Sequence, residues 1–449
     1  MNKKSLAFVW VMFCAGGAFA QAPVDLPPQT LTRADNSTNP ISILPSLEGG
    51  KNFLSLNGYV DGSYDINAPV LQNGVVQGSA SGFGVDAGGG VTAFRSFATG
   101  QLSLTYSGDF HDYTTPNYPT GFDQNLNLYL RKVLARRWSI YFAQTAGIFY
   151  NGGNAYPLSN SLVAPNLGQG IVLNPFSQNT KFMSTSVSLS YQQSLRWSYT
   201  IGGDFFLSRY YGAGTFGSTG GDGMGSISYR MTRATTLSGS FSHSYYGYQN
   251  GAGSSSVDSV FATLSHDFHT AHWQVGVSGG VSRVNSEGAF FIPGFLSSAE
   301  NQQLTAVITS GTYKTNSSVP SFQGTATRTW KHTSLSLSGG QSVNPGNGIY
   351  LASRNLFVAG YYNIGYRRSS LSFGGTYSRL SSITNNISSA YGSSGSNVTY
   401  NYRLTPHIGV NANYNLTYYG NIGSIGGRID NRFSFGFNIS TSNVPFSYF

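Results

Sequence analysis

From Leu54 onward, apolar residues alternate with small polar ones in long runs. The clearest run reads Ile408, Gly409, Val410, Asn411, Ala412, Asn413, Tyr414, Asn415, Leu416. Successive side chains of a β-strand point to opposite faces, so each run predicts a strand with one apolar and one polar face. The runs often reach about ten residues or more, longer than the roughly 5–6 of a soluble strand and close to the 9–11 of a tilted membrane strand.

The segments between these runs alternate in length. Short turns are predicted at Ala135–Arg137, Leu195–Trp197, Thr232–Ala234, Arg367–Ser370 and Leu404–His407. Longer polar loops, such as Asn151–Thr180 and Asn285–Pro320, lie between them. Membrane barrels have short periplasmic turns and long outer loops in this alternation.

Aromatic residues collect at the predicted strand ends, as they do in the girdles of membrane barrels. They are Trp138, Tyr150, Trp197, Tyr210, Tyr211, Tyr245, Tyr246, Trp273, Trp330, Tyr418 and Tyr419. Backbone exposed to lipid must satisfy its hydrogen bonds internally, which only helices and closed barrels do. Since no segment after the N-terminus has the roughly 20 apolar residues of a spanning helix, the prediction is an all-β, transmembrane, antiparallel up-and-down β-barrel.

Eighteen strands are predicted, and a count of sixteen stays open because Leu304–Thr312 reads either as a strand or as a folded loop. The predicted strands are 53–65, 82–94, 100–110, 123–133, 138–149, 181–194, 197–209, 222–231, 235–248, 256–266, 272–284, 320–329, 333–342, 354–367, 370–381, 395–404, 407–419 and 428–440.

The N-terminus has the pattern of an export signal. Residues 1–20 combine Lys3 and Lys4 with an apolar stretch and an A-x-A site, which predicts cleavage after Ala20. Cys14 would leave with the signal, which removes disulfides and thiolate sites from the mature chain. Residues 21–52 are rich in proline and predict an extended periplasmic segment or a partial plug. The barrel domain is 53–449.

Composition narrows the function classes. Only 9% of the 449 residues are charged, against about 25% in soluble domains. This argues against an ordinary cytosolic enzyme, while 14% aromatic residues argue against disorder. The sequence pI of about 9.4 does not indicate nucleic-acid binding, because the basic residues concentrate at one end of the predicted barrel.

The signal, the alternating strands and the terminal Phe449 resemble the Gram-negative outer-membrane β-barrel proteins, broadly those of porin type. The resemblance implies an outer-membrane location among lipid and lipopolysaccharide, and insertion by the barrel-assembly machinery through Phe449. The chain departs from the pattern at Ser442–Pro445, where a proline should end the ladder near Ser440. No subfamily is indicated, and the oligomeric state is not predicted.

The sequence contains only weak matches to catalytic and metal-binding motifs. His332 and Ser334 fall at a predicted turn, and His111-Asp112 beside Asp109 reads as a solvated loop. The trio His266, His269 and His272 reads as a polar turn. No enzyme activity, cofactor or metal is therefore predicted.

Basic residues concentrate at the predicted short turns. Two interpretations stay open: the side chains extend to lipid phosphates, or some line the pore mouth and favour anions. By alternation Arg131, Arg230, Arg367 and Arg403 share the face of lumenal Asn and Ser residues. Elsewhere the lumen is predicted to be small and neutral, with isolated charges at Asp61, Asp86, Asp109, Asp204, Asp430 and Arg432. The pore-lining candidates are Arg131, Arg230, Arg367, Arg403, Arg432, Asp86, Asp109 and Asp204.

The leading hypothesis is a porin-like channel for passive diffusion of small hydrophilic solutes, with a mild anion preference. The alternative is a non-conducting barrel, structural or linked to exopolysaccharide export or secretion, that binds a surface polymer or partner through its loops.

Overall fold

The computed structural model describes residues 52–72, 75–114, 120–149, 179–211, 217–249, 253–297, 304–345, 352–383, 390–420, 428–441 and 444–445. Its strands are β1 Phe53–Gln72, β2 Val75–Phe97, β3 Gly100–Tyr113, β4 Gly121–Ala135, β5 Trp138–Phe149, β6 Asn179–Gln192, β7 Trp197–Tyr211, β8 Ser218–Arg230, β9 Thr235–Tyr248, β10 Gly253–Phe268, β11 Trp273–Ser297, β12 Leu304–Thr329, β13 Thr333–Pro345, β14 Ala352–Gly365, β15 Ser369–Ser382, β16 Ala390–Arg403, β17 Ile408–Tyr419, β18 Arg428–Ser440 and β19 Val444–Pro445.

Strands β1 to β18 form one closed antiparallel barrel. Each strand pairs with its neighbours in sequence, and β18 pairs with β1 from Asn57 opposite Ser440 to Ile66 opposite Asn431. Closure satisfies the backbone of every edge, as a barrel in lipid requires. The described residues include no helix long and apolar enough to cross a membrane.

The alternating sequence gives the barrel its two faces. On β3, Leu104, Tyr106 and Phe110 are exposed, whereas the intervening Ser103 and Thr105 are buried. The exposed apolar set faces outward and the alternate set lines the lumen. The predicted fold class and the count of eighteen strands are confirmed.

The prediction of a loop over Asn285–Pro320 is wrong for most of these residues, which lie in strands. Strand β11 has 25 residues and β12 has 26, and they remain paired from Trp273–Arg328 up to Ser297–Leu304. Leu304–Thr312 is therefore the outer part of β12 and not a separate strand. The two strands form a ribbon that continues well past the last pairing of β12 with β13, at Phe322 and Gln341.

The predicted short turns are confirmed at one end of the barrel, called here the short-turn end. Strand β18 ends at Ser440 as predicted, although Val444 and Pro445 still pair with Leu54 and Phe53. The signal, the segment 21–51, nearly all of the loop Asn151–Thr180 and Phe449 lie outside the described residues.

Candidate functional site

The outer wall of the barrel is apolar and exposed. Val60, Ile201 and Val277 are 57–63% exposed and are typical of many outward side chains. Near the short-turn end aromatic rings pack side by side, with 4.6 Å between the ring centroids of Trp138 and Tyr191. An apolar surface that surrounds the whole barrel and ends in an aromatic girdle is the lipid-facing wall of a membrane barrel.

Two arginines on this outer wall stack on aromatic rings. The guanidinium of Arg328 lies 5.4 Å from the ring centroid of Trp273 and 4.4 Å from that of Trp330. Arg95 lies 5.3 Å from the ring centroid of Phe97. Both side chains point away from the lumen, so neither of them lines the pore mouth.

The lumenal face of β1–β4, together with β18, carries a concentration of charge that we call the acidic sector. Strand pairing brings its residues into register: Asp61 lies opposite Asp86, and Asp86 lies opposite His111. Asp109 is paired with Asp123, and Asp65 with Arg432. Asp430 is buried on the lumenal face of β18. The predicted isolated charges Asp61, Asp86, Asp109 and Arg432 thus lie in one sector, with Asp430 on the same face of β18 as Arg432, which corrects the prediction of isolated lumenal charges.

Arg432 is the centre of an ion-pair network in this sector. Its guanidinium bonds to Asp86 and to the hydroxyl of Tyr113, donates to Ser63 at 3.2 Å and lies 3.7 Å from Asp65. The Tyr113 hydroxyl donates to Asp86 at 2.7 Å. At 7% exposure Arg432 is buried, so the network is shielded from solvent.

A second group in the acidic sector consists of Asp109, His111 and Asp123. Their potential metal-ligand atoms all lie within 4.8 Å of one another. Nδ1 of His111 is 4.0 Å from Oδ2 of Asp123. His111 is fully buried and Asp123 is 8% exposed, whereas Asp109 is partly accessible. The interpretation of His111-Asp112 beside Asp109 as a solvated loop is therefore wrong, because these residues lie within β3.

The lumenal wall of β6–β14 is different and is called here the apolar arc. Small hydroxyl residues cover much of it, and Ser208 and Ser218 hydrogen-bond across adjacent strands at 2.9 Å. Among them lie buried apolar side chains that alternation had assigned to the outside or had missed: Phe182, Phe206, Tyr246, Val257, Val284, Val319 and Phe357. The prediction of a small, neutral lumen is wrong here, and Tyr246 belongs to the lumen rather than to a girdle.

One pair of carboxylates lies within the arc. Asp204 of β7 is directly opposite Asp222 of β8, and both are half-buried on the lumenal face. Asp222 was not among the predicted site residues, nor were Asp65, Asp123, His111 and Tyr113. Their parity on each strand was a usable signal, but their grouping depends on strand register.

The predicted rim arginines separate into two groups. Arg131, Arg230 and Arg403 lie at the short-turn ends of β4, β8 and β16, on the lumenal parity of Asn127, Ser228 and Asn401. Arg367 lies in the turn after β14, beyond the strand, where alternation no longer assigns a face.

His266, His269 and His272 lie in or beside the turn between β10 and β11. Nδ1 of His266 is 2.8 Å from the hydroxyl of Thr235, and Nδ1 of His269 is 3.3 Å from Asp267. His272 has a φ of 54°, the left-handed conformation that lets the chain reverse. These contacts agree with the predicted polar turn.

No protein-family model and no curated protein sequence matches the chain. Among solved structures it is similar to the outer membrane protein OpdK from Pseudomonas aeruginosa, with 11% identity, a TM-score of 0.41 and coverage of 86% of this chain and 99% of that one. A BenF-like porin from Pseudomonas fluorescens Pf-5 gives 9% identity, a TM-score of 0.42 and coverage of 87% and 98%. OccAB4 of Acinetobacter baumannii gives 9% identity, a TM-score of 0.40 and coverage of 87% of this chain and 98% of that one. Likenesses this distant say nothing of the solute or of the site residues.

Proposed function

We propose that this chain is an outer-membrane channel of porin type for passive diffusion of small hydrophilic solutes. The observation that carries the proposal is the closed eighteen-strand barrel with an apolar outer wall and a largely polar inner one. Barrels of 16–18 strands are wide enough to enclose water. Solutes would be selected by the diameter and by the charges on the lumenal wall.

A mild anion preference is part of this proposal and depends on the rim at the short-turn end. Arg131, Arg230 and Arg403 are positive there and share the lumenal parity. Deeper in the barrel the carboxylates of the acidic sector and the Asp204–Asp222 pair act in the opposite direction. The charges of the wall act most strongly on an ion where the pore is narrowest. The anion preference therefore requires that the narrowest part of the pore lie at the rim of the short-turn end.

Conductance in planar bilayers tests the channel. Stepwise ion currents are expected, and a salt gradient should give a reversal potential with the sign of anion preference. Changing Arg131, Arg230, Arg367 and Arg403 to Gln should reduce that potential. Arg95→Gln and Arg328→Gln are the matched controls, since both side chains lie on the outer wall. An opposite sign in the unmodified protein refutes the anion preference without refuting the channel.

A second candidate is a non-conducting barrel that binds a surface polymer or partner. The observation in its favour is the β11–β12 ribbon, which extends far past its neighbours. A protein that inserts but carries no current, and loses binding to cell-surface polysaccharide when residues 289–313 are deleted, would favour this candidate.

We also propose that residues 1–20 direct export with cleavage after Ala20, that residues 21–52 stay periplasmic or partly plug the lumen, and that Phe449 is read by the barrel-assembly machinery. The outer wall supports a place among lipid and lipopolysaccharide. N-terminal sequencing of the protein recovered from outer membranes tests the cleavage. Deletion of Phe449 should lower the amount of folded barrel there, and an unchanged amount would refute its role.

A further inference from the structure

We propose that Asp109, His111 and Asp123 form a binding site for one divalent transition-metal ion in the lumenal wall. The site would exist in the folded barrel whether or not the barrel conducts, so it does not depend on the proposed channel function. The partly accessible Asp109 would be the side from which the ion enters.

The backbone already holds the three residues in a favourable arrangement. Asp109 and Asp123 are register partners on β3 and β4, and His111 is two residues along the same face of β3. Rigid neighbouring strands thus present all three side chains to one point. Ligand atoms around a tetrahedral ion of this class are about 3.3 Å apart. The present separations of up to 4.8 Å need only side-chain rotation to close.

The donor set indicates the class of ion. Two carboxylates and one imidazole suit Zn²⁺, Mn²⁺, Fe²⁺ or Co²⁺, whereas Mg²⁺ and Ca²⁺ prefer sites made of oxygen alone. A monovalent cation would gain little from the imidazole nitrogen. Zn²⁺ is the natural first probe because it tolerates variable geometry.

A further observation also favours a ligand here. Asn125 follows Asp123 on the lumenal face of β4 and is 6% exposed, yet its side-chain oxygen accepts no hydrogen bond within the described part of the chain. One oxygen of Asp109 is in the same condition. A buried oxygen without a donor costs about 1–3 kcal/mol. An ion at this point would coordinate the unpartnered oxygen of Asp109 and remove that cost, and the oxygen of Asn125, on the same face of β4 as Asp123, would offer a fourth ligand.

The surroundings hold the site in position and set its charge. His111 lies opposite Asp86, and its ring centroid is 5.9 Å from that of Tyr113. Arg432 pairs with Asp65 and Asp86, so its charge is directed at carboxylates outside the proposed ligand set. Such neighbours fix the orientation of ligands and tune the affinity of a metal site.

The test is a calorimetric titration with Zn²⁺. The sample is the folded full-length protein in detergent, without an affinity tag. One equivalent is expected to bind, and Co²⁺ should give the visible absorption of an ion ligated by nitrogen and oxygen. His111→Gln and Asp123→Asn should each weaken binding by at least about tenfold. Because both residues are buried, folding is checked by circular dichroism and by heat-dependent gel migration. If those variants do not fold, Asp109→Asn changes a partly accessible ligand instead, and it should weaken Zn²⁺ binding in the same way.

Asp204→Asn is the matched control, because it removes a lumenal carboxylate from the apolar arc. It should leave the Zn²⁺ affinity unchanged. The proposal is overturned by no binding to the unmodified protein at millimolar Zn²⁺, or by equal binding by folded His111, Asp123 and Asp109 variants. Loss of binding in the Asp204 variant as well would place the ion elsewhere and reject this site.

Discussion

The acidic sector and the apolar arc are built from the same kind of strand, but their lumenal faces are stabilised in different ways. In the acidic sector, charged groups satisfy one another through Arg432, which reaches Asp65, Asp86 and Tyr113. In the apolar arc, Phe206 packs against Tyr246 with 5.3 Å between ring centroids. Alternation therefore specifies which face a residue occupies, but the lumen accepts either chemistry.

The difference has a consequence for how each region responds to substitution. Removing one member of a buried ion network leaves charges without compensation, whereas removing an aromatic ring leaves only a cavity. The acidic sector should thus be the region that tolerates substitution less well. Substitutions in each region test this difference.

Arg432→Met should be the most damaging single change. Asp65 and Asp86 would stay buried without their cation, since their side chains are 0% and 4% exposed. The expected loss is about 3–5 kcal/mol in the free energy of unfolding. Urea-induced unfolding in detergent, followed by tryptophan fluorescence, measures it.

The same region offers a rescue for that variant. Adding Asp65→Asn and Asp86→Asn to Arg432→Met should recover part of the stability, because the uncompensated charges are then gone. Arg283→Met is the matched control, an exposed outward arginine that bonds to Asn316 at 3.2 Å. If Arg432→Met unfolds at the same urea concentration as the unmodified protein, the network has no structural role.

In the apolar arc, Phe206→Ala should cost about 3 kcal/mol through the cavity it leaves, since Phe206 is 2% exposed. The adjacent Phe205→Ala is a matched control because this ring is 44% exposed on the outer wall. Lipid chains are as apolar as the ring and fill the space, so its effect should be much smaller. Equal losses of unfolding free energy in the two variants would contradict the assignment of the two faces.

Two glycines allow the packing in the acidic sector to be compared with that at a position where a side chain would meet no neighbour. Gly84 lies directly under the ring of Tyr113, so an added methyl group would displace that ring from Arg432 and Asp86. Gly84→Ala should therefore cost about 1–3 kcal/mol. Gly225→Ala, where nothing lies within 4 Å of the new carbon, should change the stability by less than about 0.5 kcal/mol. Thermal unfolding monitored by circular dichroism distinguishes the two.

The sequence predicted the strands better than it predicted the two lumenal regions, for a physical reason. Strand position and facing follow from local alternation, so β17 and the short turns were found almost residue by residue. The acidic sector depends on register between distant strands: Arg432 and Asp86 are 346 positions apart. In the apolar arc, Phe205 and Phe206 are consecutive and equally apolar, so alternation could not indicate that one of them enters the lumen. The outer β11–β12 ribbon was missed because its residues, with Pro293 and several glycines, lack clear alternation.

Arg328 lies outside both regions, and its substitution tests whether burial, rather than charge, makes Arg432 important. The guanidinium of Arg432 lies 5.0 Å from the ring centroid of Tyr113. Arg328 likewise stacks on aromatic rings, but on Trp273 and Trp330 at the edge of the lipid-facing wall. Arg328→Gln should cost only about 0.5–1 kcal/mol, since a cation–π contact near water is weak. Arg233→Gln, in the exposed turn between β8 and β9, is the control and should show no measurable change in the urea midpoint. A loss for Arg328→Gln as large as that for Arg432→Met would mean that stacking on aromatic rings, and not the buried ion network, distinguishes the acidic sector.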